Sequence, residues 1–230
     1  MHLKVLARAG VAVVLLVGYG LLISLVAAPD APAGADPLSK EGCLNGYIDR
    51  LLLPGRLYDG SFDPEGLLGI IPATVTAMLG MFTGEFIRLP EEKVSGRGKT
   101  GWMLVGAAVL LAAGLLWSRV LPLNKKLWTS SFVLVVGAIS LSAYALVYYL
   151  VEVKGWTRWT FFFRVIGLNS ITIYLLQRIV PLQEVSGFFL SGAAGLLPPG
   201  WGAVLLAAGY LCVSWLLLYF LWRQRIFLKV

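Results

Sequence analysis

The stretch "WMLVGAAVLLAAGLLWSRVLPLNKKLWTSSFVLVVGAISLSAYALVYYLVEV" (residues 102–153) decides how this chain folds. It holds two apolar runs, 102–120 and 131–153, joined by the short polar connection "LPLNKKLWTSS" at 121–131. Each run is near the roughly 20 residues a helix needs to cross a hydrocarbon core about 30 Å thick. Further runs of this kind occur at 5–27, 67–87, 160–180 and 201–222, which makes six. In lipid only helices and closed barrels satisfy their own backbone polar groups. An all-α, polytopic transmembrane bundle of about six spans is therefore expected.

Composition agrees. Apolar residues make up 58% of the 230, charged residues 13%, and mean hydropathy is +0.81, which excludes an ordinary soluble domain. The formal charge of +7 is assigned to loops by the positive-inside bias, so nucleic acid is not an expected partner and membrane lipid is. The first run follows Lys4 and Arg8 and resembles a cleaved leader, but its apolar body of about 18 residues exceeds the usual 7–15, which predicts a retained span. With six spans both termini share a side. Eleven cationic residues flank that side, among them Lys4, Arg8, Arg88, Lys99, Arg223 and Lys229, against seven on the other. The expected location is a multi-pass inner membrane with both termini cytoplasmic. The domain reading is a first span (1–27), an extracytoplasmic loop (28–66) and a five-span membrane domain (67–230).

The loop divides in two. "APDAPAGADPLSKEG" (28–42) reads as linker, whereas "CLNGYIDRLLLPGRLYDGSFDPEG" (43–66) interleaves aromatics, leucines and charges and predicts a short helix and ordered loop packed on the membrane domain. Asp49, Arg50, Asp63 and Glu65 place carboxylates and a cation there. They suit acid/base work or amine binding, or Asp63 simply caps a helix beginning at Pro64. Another outer segment, "LQEVSGFFLSGAAGLLPPGW" (182–201), suits a re-entrant or interfacial element.

Polar residues inside a span are functional candidates by default. In "FFFRVIGLNSITIYLLQR" (161–178), Gly167, Ser170, Tyr174, Gln177 and Arg178 fall on one helix face, with Asn169 and Thr172 beside it. The stripe serves either helix packing or a site. Arg164 snorkels toward the nearby surface. Glu85 is expected to pair with Arg88 three residues on. In the connection, Lys125, Lys126 and Trp128 suit interfacial anchors. Asn124 and the hydroxyls of Ser130 and Ser131 at a span's start also suit an anion site. Cys43 and Cys212 sit at different depths, so neither a mutual disulfide nor a metal site is expected. The single histidine, His2, is terminal, and no complete catalytic centre is legible.

Seven blocks in order, "GYIDRLLL" (46–53), "LY" (57–58), "FDPEGLLG" (62–69), "PLNKKLWTSSFV" (122–133), "EVKG" (152–155), "GLNSITIY" (167–174) and "WRQRIFLKV" (222–230), resemble the heparan-alpha-glucosaminide N-acetyltransferase family, including its bacterial acyltransferase-like members. The resemblance implies transfer of acetyl from acetyl-CoA to an amino sugar of a glycan, without a metal. It extends only to the C-terminal half of that family. The family's catalytic histidine and its Asp-x-x-Arg-Gly motif belong to the other half and have no counterpart here. The resemblance thus implies positioning groups and no catalytic residue: Asn124, Lys125, Lys126, Trp128 and Ser130, with Asn169, Ser170 and Tyr174, to contact substrate or cofactor, and Asp49, Arg50, Asp63 and Glu65 to shape the outer mouth. The implied partners are the glycan amino-sugar acceptor and an N-terminal half or a further copy. Truncation, with the chain not catalytically complete alone, is the expectation. A glycan or lipid-linked sugar transporter or export subunit, and an inactive membrane remnant, stand as the alternatives.

Overall fold

In the computed structural model, residues 4–228 are described; His2 and Lys229 lie outside them. The described residues are helical, with isolated bridges at Ala27–Cys43 and Leu57–Gly60 in place of strands. Five helices are long and apolar enough to cross a membrane, and a bent pair makes a sixth span. The fold forms two compact units, one ending at Gly155 and one beginning at Trp156.

The first unit holds α1 (Val5–Leu25), α2 (Leu44–Leu52), α3 (Ile70–Ile87), α4 (Gly96–Trp117) and α5 (Ser130–Tyr148). A wider π turn, Tyr149–Val153, extends α5. The third span starts earlier than expected, at Gly96, because Ser95 caps α4 by accepting the Gly98 N–H at 3.2 Å. The helix expected at Pro64 starts later. Asp63 accepts the Glu65 N–H at 2.9 Å in a tight turn, a 3₁₀ turn follows at Leu67–Gly69, and only then does α3 begin.

Ala12 and Leu16 of α1 meet Val75 of α3 and Val133 of α5 to make the first unit's core. A second cluster joins Tyr19 and Ile23 to Leu121. The α4 and α5 backbones approach closely at Gly114, where a Cβ would come 2.7 Å from Val135 Cγ2. Away from these seams, large apolar side chains such as Val14, Val109, Leu116 and Ile139 are exposed. Water would not tolerate such a belt; lipid does.

At one end of the unit the charges are internally satisfied. Arg8 donates two hydrogen bonds of 2.7 Å to the Glu85 carboxylate, with its guanidinium over the Phe82 ring. The pair expected between Glu85 and Arg88 is thus corrected: the partner comes from another helix. Lys99, buried, donates to the carbonyls of Ile87 and Leu89 at 2.8 and 2.6 Å and so caps the C-terminus of α3.

The second unit holds α6 (Thr160–Leu168), α7 (Ser170–Ile179), α8 (Leu182–Gly195) and α9 (Pro199–Arg223). Phe161 and Phe162 pack on Trp215, Tyr219 and Trp222, joining α6 to α9. The Trp215 indole donates to the Phe162 carbonyl at 3.2 Å. The 182–201 segment is largely the helix α8, which packs against α9 where Gly209 leaves room for Leu190 and Ser186. The span expected as one helix over 160–180 is broken: α6 and α7 meet at Asn169 with a bend of 66°.

Candidate functional site

The connection 121–131 folds into a knot of hydrogen bonds. Asn124 Oδ1 accepts the N–H groups of Lys126 and Leu127 at 2.9 and 3.2 Å, an Asx turn that reverses the chain. Trp128 follows in a left-handed conformation, φ 51°, and its indole donates to Thr76 Oγ1 at 3.4 Å. Thr129 is fully buried, and its hydroxyl donates to the Pro122 carbonyl at 2.9 Å. Ser130 Oγ donates to the Leu16 carbonyl of α1, and Ser131 Oγ to that of Leu121, each at 2.7 Å. These hydroxyls are spent on carbonyls, which corrects the expectation that they cap free N–H groups or offer them to an anion.

The outer loop docks onto the knot. Tyr19 Oη donates to the Leu127 carbonyl at 2.5 Å and accepts from Asn45 Nδ2 at 3.0 Å, so α1, α2 and the connection meet at one hydroxyl. Arg50 forks onto Asp30, with Nη2 at 2.8 and 2.7 Å from the two carboxylate oxygens, and donates to the Ser61 carbonyl at 2.6 Å. Asp49 is fully buried; one oxygen accepts the Leu67 N–H at 2.9 Å, while the other has no partner among the described residues. Burial pushes this carboxyl above its ordinary value. Burial likewise raises the Cys43 thiol. Asp63 serves its own turn, and Glu65 is exposed.

Between loop and connection lies a cavity of about 190 Å³ lined by Lys40, Cys43, Asp59, Phe62, Asn124 and Lys126, among others. Lys126 Nζ donates to Asp59 Oδ2 at 2.6 Å, and that hydrogen bond, above all, holds the Asp59 carboxyl below its ordinary value. Here the structure brings together two expected residues, Asn124 and Lys126, with three that sequence reasoning passed over: Lys40, Asp59 and Phe62. Lys125 is exposed on the outer side of the turn. Trp128 and Ser130 are structural to the knot.

In the second unit the expected stripe separates. Tyr174, Gln177 and Arg178 of α7 line a cavity of about 460 Å³ with Gln183, Glu184 and Tyr210. Ser170 is exposed, and Asn169 is buried at the break, so neither lines this cavity. A larger cleft of about 520 Å³ between α3, α4 and α5 is mainly apolar. No group of three or more His, Cys, Asp or Glu side chains suited to a metal occurs among the described residues.

The signal that sequence reading missed was Tyr19, a hydroxyl within "VGYGLL" that had to find a partner inside an apolar run.

Two curated relatives match. Heparan-alpha-glucosaminide N-acetyltransferase of Mus musculus is 30% identical over 177 residues, 66% of this chain and 27% of the relative. The Homo sapiens protein of the same name is 31% identical over 147 residues, 56% of this chain and 22% of the relative. This chain therefore resembles that family, and its match spans about a quarter of the relatives' length. No family model and no solved structure matches. The apolar helices and this resemblance together mark a multi-pass membrane protein.

Proposed function

We propose that this chain is the C-terminal portion of a membrane acetyltransferase moving acetyl from acetyl-CoA to the amine of a glycan amino sugar. The observation that carries the reading is the cavity between 28–66 and 121–131, where Asn124 and Lys126, both within a block resembling the family, face Asp59. Its chemistry suits a sugar amine. Asp59, kept ionised by Lys126, attracts an ammonium, Lys40 and Lys126 donate to hydroxyls, and the Phe62 ring offers an apolar face.

The chain's task is orientation of the acceptor. Asn124 and Trp128 hold the turn from which Lys126 projects, and Arg50 with Asp49 anchors the loop that presents Asp59. The base that takes the amine proton is supplied by an N-terminal half. In this reading the knot faces the extracytoplasmic side, and the Arg8–Glu85 end and both termini face the cytoplasm.

The test is co-expression with the N-terminal half of either curated relative, assaying labelled acetyl transfer from acetyl-CoA to glucosamine in membranes. Lys126→Ala and Asp59→Ala are expected to lower transfer about ten-fold, as for loss of a charge-assisted hydrogen bond, at normal expression. Transfer unaffected by either change removes the cavity from the reaction. Glycan movement across vesicles without consumption of acetyl-CoA replaces the enzyme with a transporter.

A further inference from the structure

The break at Asn169 concentrates hydrogen-bond donors without acceptors. α7 is ten residues long and starts at Ser170, halfway through a span. Its first N–H groups have no intrahelical partner by the geometry of any helix start, and the N-cap residue Asn169 makes no side-chain cap bond to them. The Asn169 side chain is instead held by Thr172, whose hydroxyl donates to Oδ1 at 3.3 Å. That leaves Nδ2, on a residue only 1% exposed, with no acceptor among the described residues. Inside a membrane each unpaired donor costs several kcal/mol, so a bent span that gathers them needs an oxygen from elsewhere.

The donors at the break are uncharged amide N–H groups, set at the positive end of a helix dipole. Such a set favours one carbonyl oxygen, or the oxyanion it becomes, over a multiply charged phosphate, which calls for cations. We infer that Asn169 Nδ2 and the N-terminal N–H groups of α7 form an oxyanion hole for the carbonyl oxygen of an acyl thioester. This rests on the acetyltransferase reading and adds to it a catalytic residue. In the step it serves, the amine nitrogen bonds to the thioester carbon and the carbonyl electron pair moves to oxygen, where the hole receives it. The pair returns, the carbon–sulfur bond breaks, and the thiolate leaves with the proton the amine gives up. Donors fixed beforehand stabilise that oxygen more as its charge grows.

The experiment compares acetyl-CoA with CoA, which lacks the carbonyl, by calorimetry on the purified full chain in nanodiscs. The chain is expected to bind acetyl-CoA about ten-fold more tightly than CoA, as one added hydrogen bond of this type allows. Asn169→Leu should abolish that preference while leaving CoA affinity unchanged, and Asn169→Gln, which keeps the donor, should retain part of it. Equal binding of both by the wild-type chain overturns the inference and leaves the acetyltransferase reading standing. If neither binds, that reading fails, and acetate becomes the probe. Saturable acetate binding that disappears in Asn169→Leu then supports the oxygen site, and its absence in the wild type overturns it.

Discussion

Glu85 of α3 is locked to Arg8 of α1 by two parallel hydrogen bonds of 2.7 Å, bridging 77 residues of sequence. The pair ties the first span to the second at one end of the bundle. Removing either charge leaves the other facing lipid, so Arg8→Leu and Glu85→Leu should each lower the melting temperature in detergent. The double change should recover most of the loss, because no lone charge remains. A double variant no better than the sum of the two would deny the coupling.

Tyr19→Phe removes the hydroxyl at which α1, α2 and the connection meet. It strands the buried Leu127 carbonyl and Asn45 Nδ2, at a cost of about 1–3 kcal/mol in unfolding free energy. Tyr58→Phe, at an exposed residue of the same loop, should be neutral. Equal effects of the two in a denaturant titration would dismiss the knot as a stability element.

Asp49 and Asp59 should give pH dependences of opposite sign. The folded Asp49 carboxyl sits above its ordinary value of 3.8, so the folded chain binds a proton where the unfolded chain has lost it. Its contribution to stability therefore grows as pH falls from neutral through that raised value. Asp59 sits below the ordinary value through its bond to Lys126. Its contribution is complete above the ordinary value and fades as pH drops through the lowered one. Melting curves from pH 7 to pH 4 should show Asp49→Asn losing the acid-side gain and Asp59→Asn losing the acid-side fall. Profiles superimposable on wild type would count against both.

Gly114→Ala forces a Cβ against Val135 at the closest approach of α4 and α5, and overpacking of this kind costs about 1–3 kcal/mol. Gly106→Ala, whose added Cβ would sit 3.6 Å from Leu141 Cδ2 in ordinary contact, should be neutral or slightly stabilising. The comparison is read from unfolding in mixed micelles.

The spans were legible because length and apolarity suffice to mark them. Their seams were not. Nothing near Glu85 names Arg8 as its partner, since Arg88 stands at the better local spacing, and only the packing of α1 on α3 decides between them. The break at Asn169 was hidden for a related reason. Gly167, Ser170 and Tyr174 keep a helical period across it, and no proline marks the bend. In the connection, Asn124 was legible as polar but not as a residue that spends its oxygen on its own turn. Asp59 was passed over because its worth depends on Lys126, 67 residues away.

The knot also sets an order of assembly during synthesis. Ser130 closes on the Leu16 carbonyl, 114 residues earlier in the chain. While a ribosome makes the intervening residues, α1 is already in the membrane with its lateral partners unmade, and it is secured only when the second half of the hairpin emerges. A defect in the turn at 124–129 would therefore surface first as degradation of the nascent protein by membrane quality control, with the mature protein scarce rather than altered.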